Sequence, residues 1–277
     1  MLQQLAEQFQ SQGYAVAPGL FTKDEVEAYK DHYMGMHARG GEGWSETEID
    51  MSSDDPLKRY PRLLQPHRGD KVSLDFMLEP RLYERLTAIA GTPPMAVQTM
   101  VYFRPPLSKG QNLHQDNMYL QAEPGTCMAA WLALDDIDEE NGCLIVVPGT
   151  HDMPVLCQID DESNLKDHWY TRSTPIPEGF EAKPMIMKAG DVLFFNGSLI
   201  HGSNRNTTTD RFRRTLIAHY ISGEAEQVSK YYFPVYRQDG SIVESGLAVS
   251  AGGGPCGVFQ DGQIIYEGEN REATAAH

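Results

Sequence analysis

Two short stretches of this 277-residue chain carry side chains suited to holding a metal ion. His114-Gln115-Asp116 places an imidazole and a carboxylate two residues apart, in a segment, His114–Leu120, that reads as extended. On a strand, residues i and i+2 share a face, so both groups would converge on one point. Alone the pair says little, because nine histidines and 39 acidic residues make chance H-x-D occurrences common. A third donor in a fitting context adds weight. Val192–Phe195 reads as a buried strand, and the turn after it leads to His201-Gly202-Ser203. Two neutral imidazoles and one carboxylate on one face of a metal leave the opposite positions open, which suits a non-haem Fe(II) centre that must bind further ligands. Arg213 then opens another strand, and a buried guanidinium there could grip a carboxylate in a bidentate fork. Zinc would accept the same three ligands with a water in the fourth position, but gives Arg213 no role. A metal-free binding module on the same scaffold is the other alternative, and it offers no reason for all four residues to occur together.

The elements that must position these groups read as helices followed by strands. Residues 2–12 carry apolar side chains at helical spacing and stop at Gly13, and Tyr14 to Leu20 alternates as a short strand. Thr22 caps a second helix, with Glu25 as its capping-box partner. From about Gly35 to Asp70 the pattern dissolves into a long loop of the kind that serves as a lid. Pro80–Ala90 predicts a further helix, ended by Gly91. Then come short strands broken by turns: Met95–Phe103, His114–Leu120, Met128–Leu134, Leu144–Val147, Met185–Met187, Val192–Phe195 and Arg213–Ile221. This predicts an antiparallel sandwich or barrel. Asp152–Lys183 has no clear period and could form a second lid. A hairpin is expected at Val258–Tyr266 around Asp261-Gly262. With no repeat and no linker, the expectation is one domain over 1–277, with a β core at about 95–222, N-terminal helices and lid loop over 1–94, and a C-terminal extension over 223–277.

Composition narrows the partners. Formal net charge is −16, which repels phosphodiester backbones and argues against nucleic acid. No apolar run is long enough to span a bilayer, and the N-terminus lacks a basic segment followed by an apolar stretch. Cys127, Cys143, Cys157 and Cys256 show no CxxC spacing, so they are read as reduced thiols of a cytoplasmic protein. Oligomeric state is not legible.

With these residues in place, the chain resembles the phytanoyl-CoA dioxygenase-like family of Fe(II)/2-oxoglutarate oxygenases over roughly residues 10–222. The matching segments are His114-Gln-Asp-Asn-Met-Tyr119, Asn141-Gly-Cys-Leu-Ile-Val-Val-Pro-Gly-Thr-His151, Gly190-Asp-Val-Leu-Phe-Phe195, His201-Gly-Ser203 with Asn206, and Phe212-Arg213. The resemblance implies a mainly β fold with flanking helices, a double-stranded β-helix (a cupin-like jelly roll) whose mouth holds the metal. It implies Fe(II), 2-oxoglutarate and O2 as cofactors, with iron on His114, Asp116 and His201. Arg213 would bind the distal carboxylate of 2-oxoglutarate, and Ser203 would hydrogen-bond nearby. Met100, Gln115, Trp131 and Lys71 match further cosubstrate-pocket positions. Relatives that halogenate replace the carboxylate at the position of Asp116 with a small residue, so its presence implies hydroxylation.

For the substrate, alternation with Met100 turns Gln98, Tyr102 and Arg104 toward the same cavity, with Asn117 or Tyr119 at its rim. Such a lining suits a small polar or anionic metabolite, although Arg104 could instead pair with one of the many carboxylates. Several tempting residues have plainer readings. His151 belongs to a structural turn, Arg214 points away from Arg213, and the methionines fill the core; His219 alternates with Arg213, Thr215 and Ile217 and could face the pocket, but is read as a buried, hydrogen-bonded histidine. Gly252–Gly254 lacks the Lys-Ser/Thr and the helix start of a phosphate loop.

Overall fold

The computed structural model describes residues 2–161, 166–168, 170–250, 256–260 and 263–267. The chain opens with helix α1 (Leu2–Gln12), strand β1 (Tyr14–Ala17) and helix α2 (Lys23–Ala38). Thr22 caps α2 as its sequence implies: its side chain accepts from the Glu25 backbone N–H, and the Glu25 carboxylate accepts from the Thr22 N–H at 2.8 Å. The long loop expected over 35–70 is a correction. It contains the short helix α3 (Pro56–Arg59) and strand β2 (Leu63–Leu64), which pairs with Met100 and Val101, and helix α4 (Lys71–Met77) follows directly. Elements of one turn or one bridge are too short to leave a hydrophobic period. Helix α5 (Pro80–Ala90) starts with Pro at its first turn and ends on Gly91 at φ +77°, both as read.

The β region comprises β3 (Met95–Tyr102), β4 (Gln111–His114), the helical turn α6 (Asn117–Leu120), β5 (Cys127–Ala133), β6 (Leu144–Val146), β7 (Ile159–Asp160), β8 (Arg172–Ser173), β9 (Lys183–Met185), β10 (Val192–Asn196), β11 (His201–Ser203) and β12 (Thr215–Ile221). The two largest sheets are ordered β1-β10-β5-β12-β3-β2 and β4-β11-β6-β9. Facing each other, they make the double-stranded β-helix. Both faces of the large sheet are covered, so β3, β5 and β12 are apolar or buried at every position rather than alternating with polar residues. One face packs Ala130, Leu132, Phe194 and Leu216 against Phe9, Tyr33, Phe76 and Leu86 of the helices. The other packs Met100, Trp131, Phe195 and Ile217 against Leu144 and Val146 of the small sheet.

His151 closes the N-terminal layer rather than serving any metal. Its Nε2 lies 3.0 Å from the Gln10 carbonyl, and its ring fills the space where a Cβ on Gly13 would stand. Arg214 grips Asp135 with Nε and Nη2 at 2.9 and 2.7 Å, away from the cleft. In the segment expected as a second lid, β7 pairs with β8.

After β13 (Gln227–Val228) and β14 (Ala248–Val249), the expected C-terminal hairpin forms from β15 (Cys256–Gln260) and β16 (Gln263–Glu267), while Gly252–Gly254 and Asp261-Gly262 lie outside the described residues. The reading of four free thiols is overturned: Cys157 and Cys256 form a disulfide across 99 residues of sequence, and only Cys127 and Cys143 are free and buried. Spacing along the chain could not reveal this, because the hairpin is brought to Cys157 by backbone bonds from Cys157 N–H to Gly257 O and from Gly257 N–H to Val155 O. The cysteine argument for a reducing compartment therefore does not hold for this pair. Replacing both partners (Cys157→Ser with Cys256→Ser) is expected to lower unfolding free energy by about 2–4 kcal/mol. Denaturant titration under oxidising conditions checks this, and an unchanged midpoint would show that the bond does not form in solution. Among the described residues, no helix is long and apolar enough to cross a membrane.

Candidate active site

Strand β4 ends on His114 and β11 begins on His201, and the two residues face each other directly in the antiparallel register. Their ring centroids lie 4.3 Å apart. His114 Nδ1 donates to the Asn112 carbonyl at 2.8 Å and His201 Nδ1 to the Leu199 carbonyl at 2.9 Å. A carbonyl only accepts, so each ring carries its proton on Nδ1 and directs the Nε2 lone pair into the cleft. Both histidines owe this geometry to backbone turns of their own segments. His201 is reached where the chain leaves the large sheet at Asn196 and crosses to the small one, so it opens its own strand rather than following the end of β10. Gly202 is required there, since a Cβ would stand 2.7 Å from the Gln111 carbonyl oxygen.

Asp116 corrects the sequence reading. The strand expected over His114–Leu120 stops at His114. Asp116 has φ −61° and ψ −32°, and its carbonyl accepts from the Tyr119 N–H at 2.9 Å, starting α6. A turn, not strand alternation, therefore delivers the carboxylate. Its Oδ1 lies 3.4 Å from His114 Nε2 and 3.5 Å from His201 Nε2. Candidate ligand atoms of His114, Asp116 and His201 all fall within 4.8 Å of one another, and the three residues are buried. Burial alone would raise the Asp116 carboxyl; the imidazoles of His201, His114 and His219 outweigh it and hold the group well below the usual carboxylate range. Burial pushes His201 down to about 4, against the pull of Asp116. At neutral pH the set thus offers one anion and a neutral His201 with its Nε2 lone pair exposed to the cleft, the donor set of a divalent iron site with open positions.

Arg213 lies in the same cleft, just before β12. It is 2% exposed, its Nε donates to the Gly142 carbonyl at 2.9 Å, and its guanidinium carbon stands 5.6 Å from the Trp131 ring centroid. Among the described residues no carboxylate pairs with it, and burial lowers it to about 10. A buried cation in this state is strongly disfavoured unless an anionic ligand completes it. The adjoining Ser203 hydroxyl accepts from the Gln111 N–H at 3.1 Å.

Of the other residues read from sequence, the structure brings Met100, Trp131, Tyr102 and Arg104 to the cleft wall. It does not bring Lys71, which lies on α4 with its side chain 82% exposed and paired to Asp75 at 2.6 Å. Gln115 also departs from its expected role. It is fully buried behind the ligands, donating to Pro154 O and Ser198 O and accepting from Leu156 N–H at 2.7 Å, so it holds the ligand turn rather than a cosubstrate. Asn117 spends its side chain on Ala122 within its own turn. Gln98 is buried opposite His219 on β3, beyond the part of the wall that lines the cleft. Tyr119 stands at the edge, its ring centroid 6.3 Å from that of His114. Among the polar lining residues, Gln111, whose amide nitrogen is 3.2 Å from His114 Nε2, has no place in the sequence reading, whereas His219 is buried and hydrogen-bonded as read and also turned to the cleft. For His219 the signal was its alternation with Arg213.

Fold and site together define a class, the iron- and 2-oxoglutarate-dependent dioxygenases. The chain belongs to the phytanoyl-CoA dioxygenase (PhyH) family, whose model matches residues 9–215. It is 26% identical over 242 residues to a protein described as phytanoyl-CoA dioxygenase, peroxisomal, from Rattus norvegicus, covering 80% of this chain and 68% of that one. It is 28% identical over 240 residues to the multifunctional dioxygenase ausE of Penicillium brasilianum, covering 82% and 74%. Among solved structures, the epimerase SnoN, crystallised with Fe3+, alpha ketoglutarate and nogalamycin RO, shares the fold at TM-score 0.64 and 21% identity, covering 81% of this chain and 85% of that one.

Proposed function

We propose that this protein is a single-domain hydroxylase that inserts oxygen into a C–H bond of a small, polar or anionic metabolite. Its iron would be held by His114, Asp116 and His201, and 2-oxoglutarate would be anchored by Arg213. The observation that carries the reading is the buried guanidinium of Arg213, without a carboxylate partner among the described residues, in the same cleft as the two-histidine, one-carboxylate cluster. A zinc hydrolase would use the cluster but leave Arg213 unexplained.

When bound, iron and 2-oxoglutarate supply the oxidative chemistry, converting O2 into a C–H oxidant with release of succinate and CO2. The chain's own residues bind, orient and exclude water. Arg213 and Ser203 fix the far end of the cosubstrate, while Met100, Trp131, Leu144, Phe195 and Ile217 keep the reacting centre in apolar surroundings. Retention of the Asp116 carboxylate supports hydroxylation over halogenation.

Support for a polar substrate comes from the wall that the cleft shares with its neighbour. Tyr102 and Arg104 line both the metal cleft and an adjoining cavity with Glu46, Lys58, Tyr60 and Arg62. There Arg62 donates to Glu46 Oε1 at 2.6 Å and to the Tyr102 hydroxyl at 2.9 Å, so a substrate passing this way meets charged and hydrogen-bonding groups before it reaches the metal.

The test is anaerobic addition of Fe(II) and 2-oxoglutarate. A visible absorption band is expected, abolished by His114→Ala. In air, a screen of polar and acyl compounds for stimulated succinate release then identifies the substrate class. Absence of the band with tightly retained zinc would replace this reading with the zinc enzyme, and stimulation by apolar acyl compounds alone would overturn the polar substrate.

A further inference from the structure

The metal cluster accounts for only one oxygen of Asp116. Oδ1 faces His114 and His201, whereas Oδ2 lies 3.0 Å from Nε2 of His219, on β12. An ionised carboxylate only accepts, so the His219 Nε2–H donates to Oδ2. His219 is 2% exposed, and its Nδ1 has no hydrogen-bond partner among the described residues, so its ring is committed to Asp116 alone. The register of β12 against β3 shifts directly after His219, between it and Tyr220. Such irregularities re-aim a side chain and recur beside active sites.

We infer that His219 is a positioning residue that keeps Asp116 a one-oxygen ligand. This rests on the reading of His114, Asp116 and His201 as the metal site. The consequence follows from counting. An octahedral ion ligated by two imidazoles and one carboxylate oxygen has three positions left, enough for a bidentate keto acid and O2. If Asp116 swung to chelate through both oxygens, two positions would remain, and the keto acid would fill them. The hydrogen bond from His219 occupies the second oxygen and opposes that rotation. Outer-sphere partners of this kind also fix ligand orientation, and their loss typically weakens metal binding by about 10–100-fold. Arg213 immediately precedes β12, the strand that carries His219, so one segment would set both the cosubstrate's anchor and the carboxylate's rotation.

The experiment titrates the 277-residue chain anaerobically with Co(II), a spectroscopic stand-in for Fe(II), then with 2-oxoglutarate, in wild type, His219→Leu, His219→Gln and Asp116→Ala. His219→Leu keeps bulk without a donor and is expected to weaken Co(II) binding about 10–100-fold. It should also change the cobalt absorption bands before 2-oxoglutarate is added. His219→Gln retains an N–H donor and should recover most of the affinity and the wild-type bands. Wild-type affinity and spectra in a folded His219→Leu protein would overturn the positioning role. So would a folded His219→Gln variant as impaired as the leucine variant, which keeps the test decisive if leucine prevents folding. Wild type that binds Co(II) no better than Asp116→Ala would overturn the metal site itself, and the role of His219 with it.

Discussion

Replacing Arg213 with Met should raise the KM for 2-oxoglutarate by about 100- to 1,000-fold. The removed fork would make two charge-assisted hydrogen bonds, together worth roughly 3–4 kcal/mol at about 1.4 kcal/mol per tenfold. Arg213→Lys keeps the charge but not the planar pair of donors, and should fall between wild type and Met. Stability separates this role from a merely structural one. Burial holds Arg213 at about 10 in the folded chain. A folded-state value depressed below the unfolded one means that, for a base, the charged form is disfavoured by folding at neutral pH. Removing that charge should therefore leave the cosubstrate-free protein as stable as before or more so, apart from the lost bond to the Gly142 carbonyl. Steady-state kinetics with varied 2-oxoglutarate and a denaturation curve without it test both halves. A destabilised variant with unchanged KM would make Arg213 a structural residue.

Asp116→Ala should abolish measurable turnover, by at least about 1,000-fold, with loss of bound iron after gel filtration. The carboxylate is the only anion in the cluster. Without it the two imidazoles face a divalent ion with no charge to offset its lost hydration. The variant also leaves the His219 N–H buried without its acceptor, at a cost of roughly 1–3 kcal/mol, so a modest fall in thermal stability is expected beside the loss of metal. Metal analysis together with succinate assays checks this. Retained iron and turnover would move the metal site elsewhere.

Much of the scaffold was legible because it is written locally. The α2 cap, the Pro80 and Gly91 ends of α5, and the apolar runs of β3, β5, β10 and β12 are each decided within a few residues. What was misread depended on contacts over long separations or on elements shorter than one hydrophobic period. The His114–Leu120 strand failed because a single helical turn at Asp116 leaves no periodic trace. Lys71 failed because the segment before it folds as α3 and β2, placing α4 with Lys71 facing solvent. Gln115 was assigned to the pocket by the family resemblance alone. The turn that delivers Asp116 sends it instead toward Pro154, Leu156 and Ser198.

By itself, the sequence determined which groups could meet: two histidines, one carboxylate and one arginine. Ligand chemistry is a property of residue type, and strand content a property of short apolar runs bounded by turn residues, so both are legible locally. The tertiary structure decided how they meet. The direct pairing of His114 with His201, the division of the Asp116 carboxylate between the cleft and His219, and the joining of Cys157 to Cys256 all depend on register between distant segments. Register is set by how two sheets close over a shared core. No short stretch of the chain encodes it, because the energy that selects one alignment is distributed over every strand pair at once.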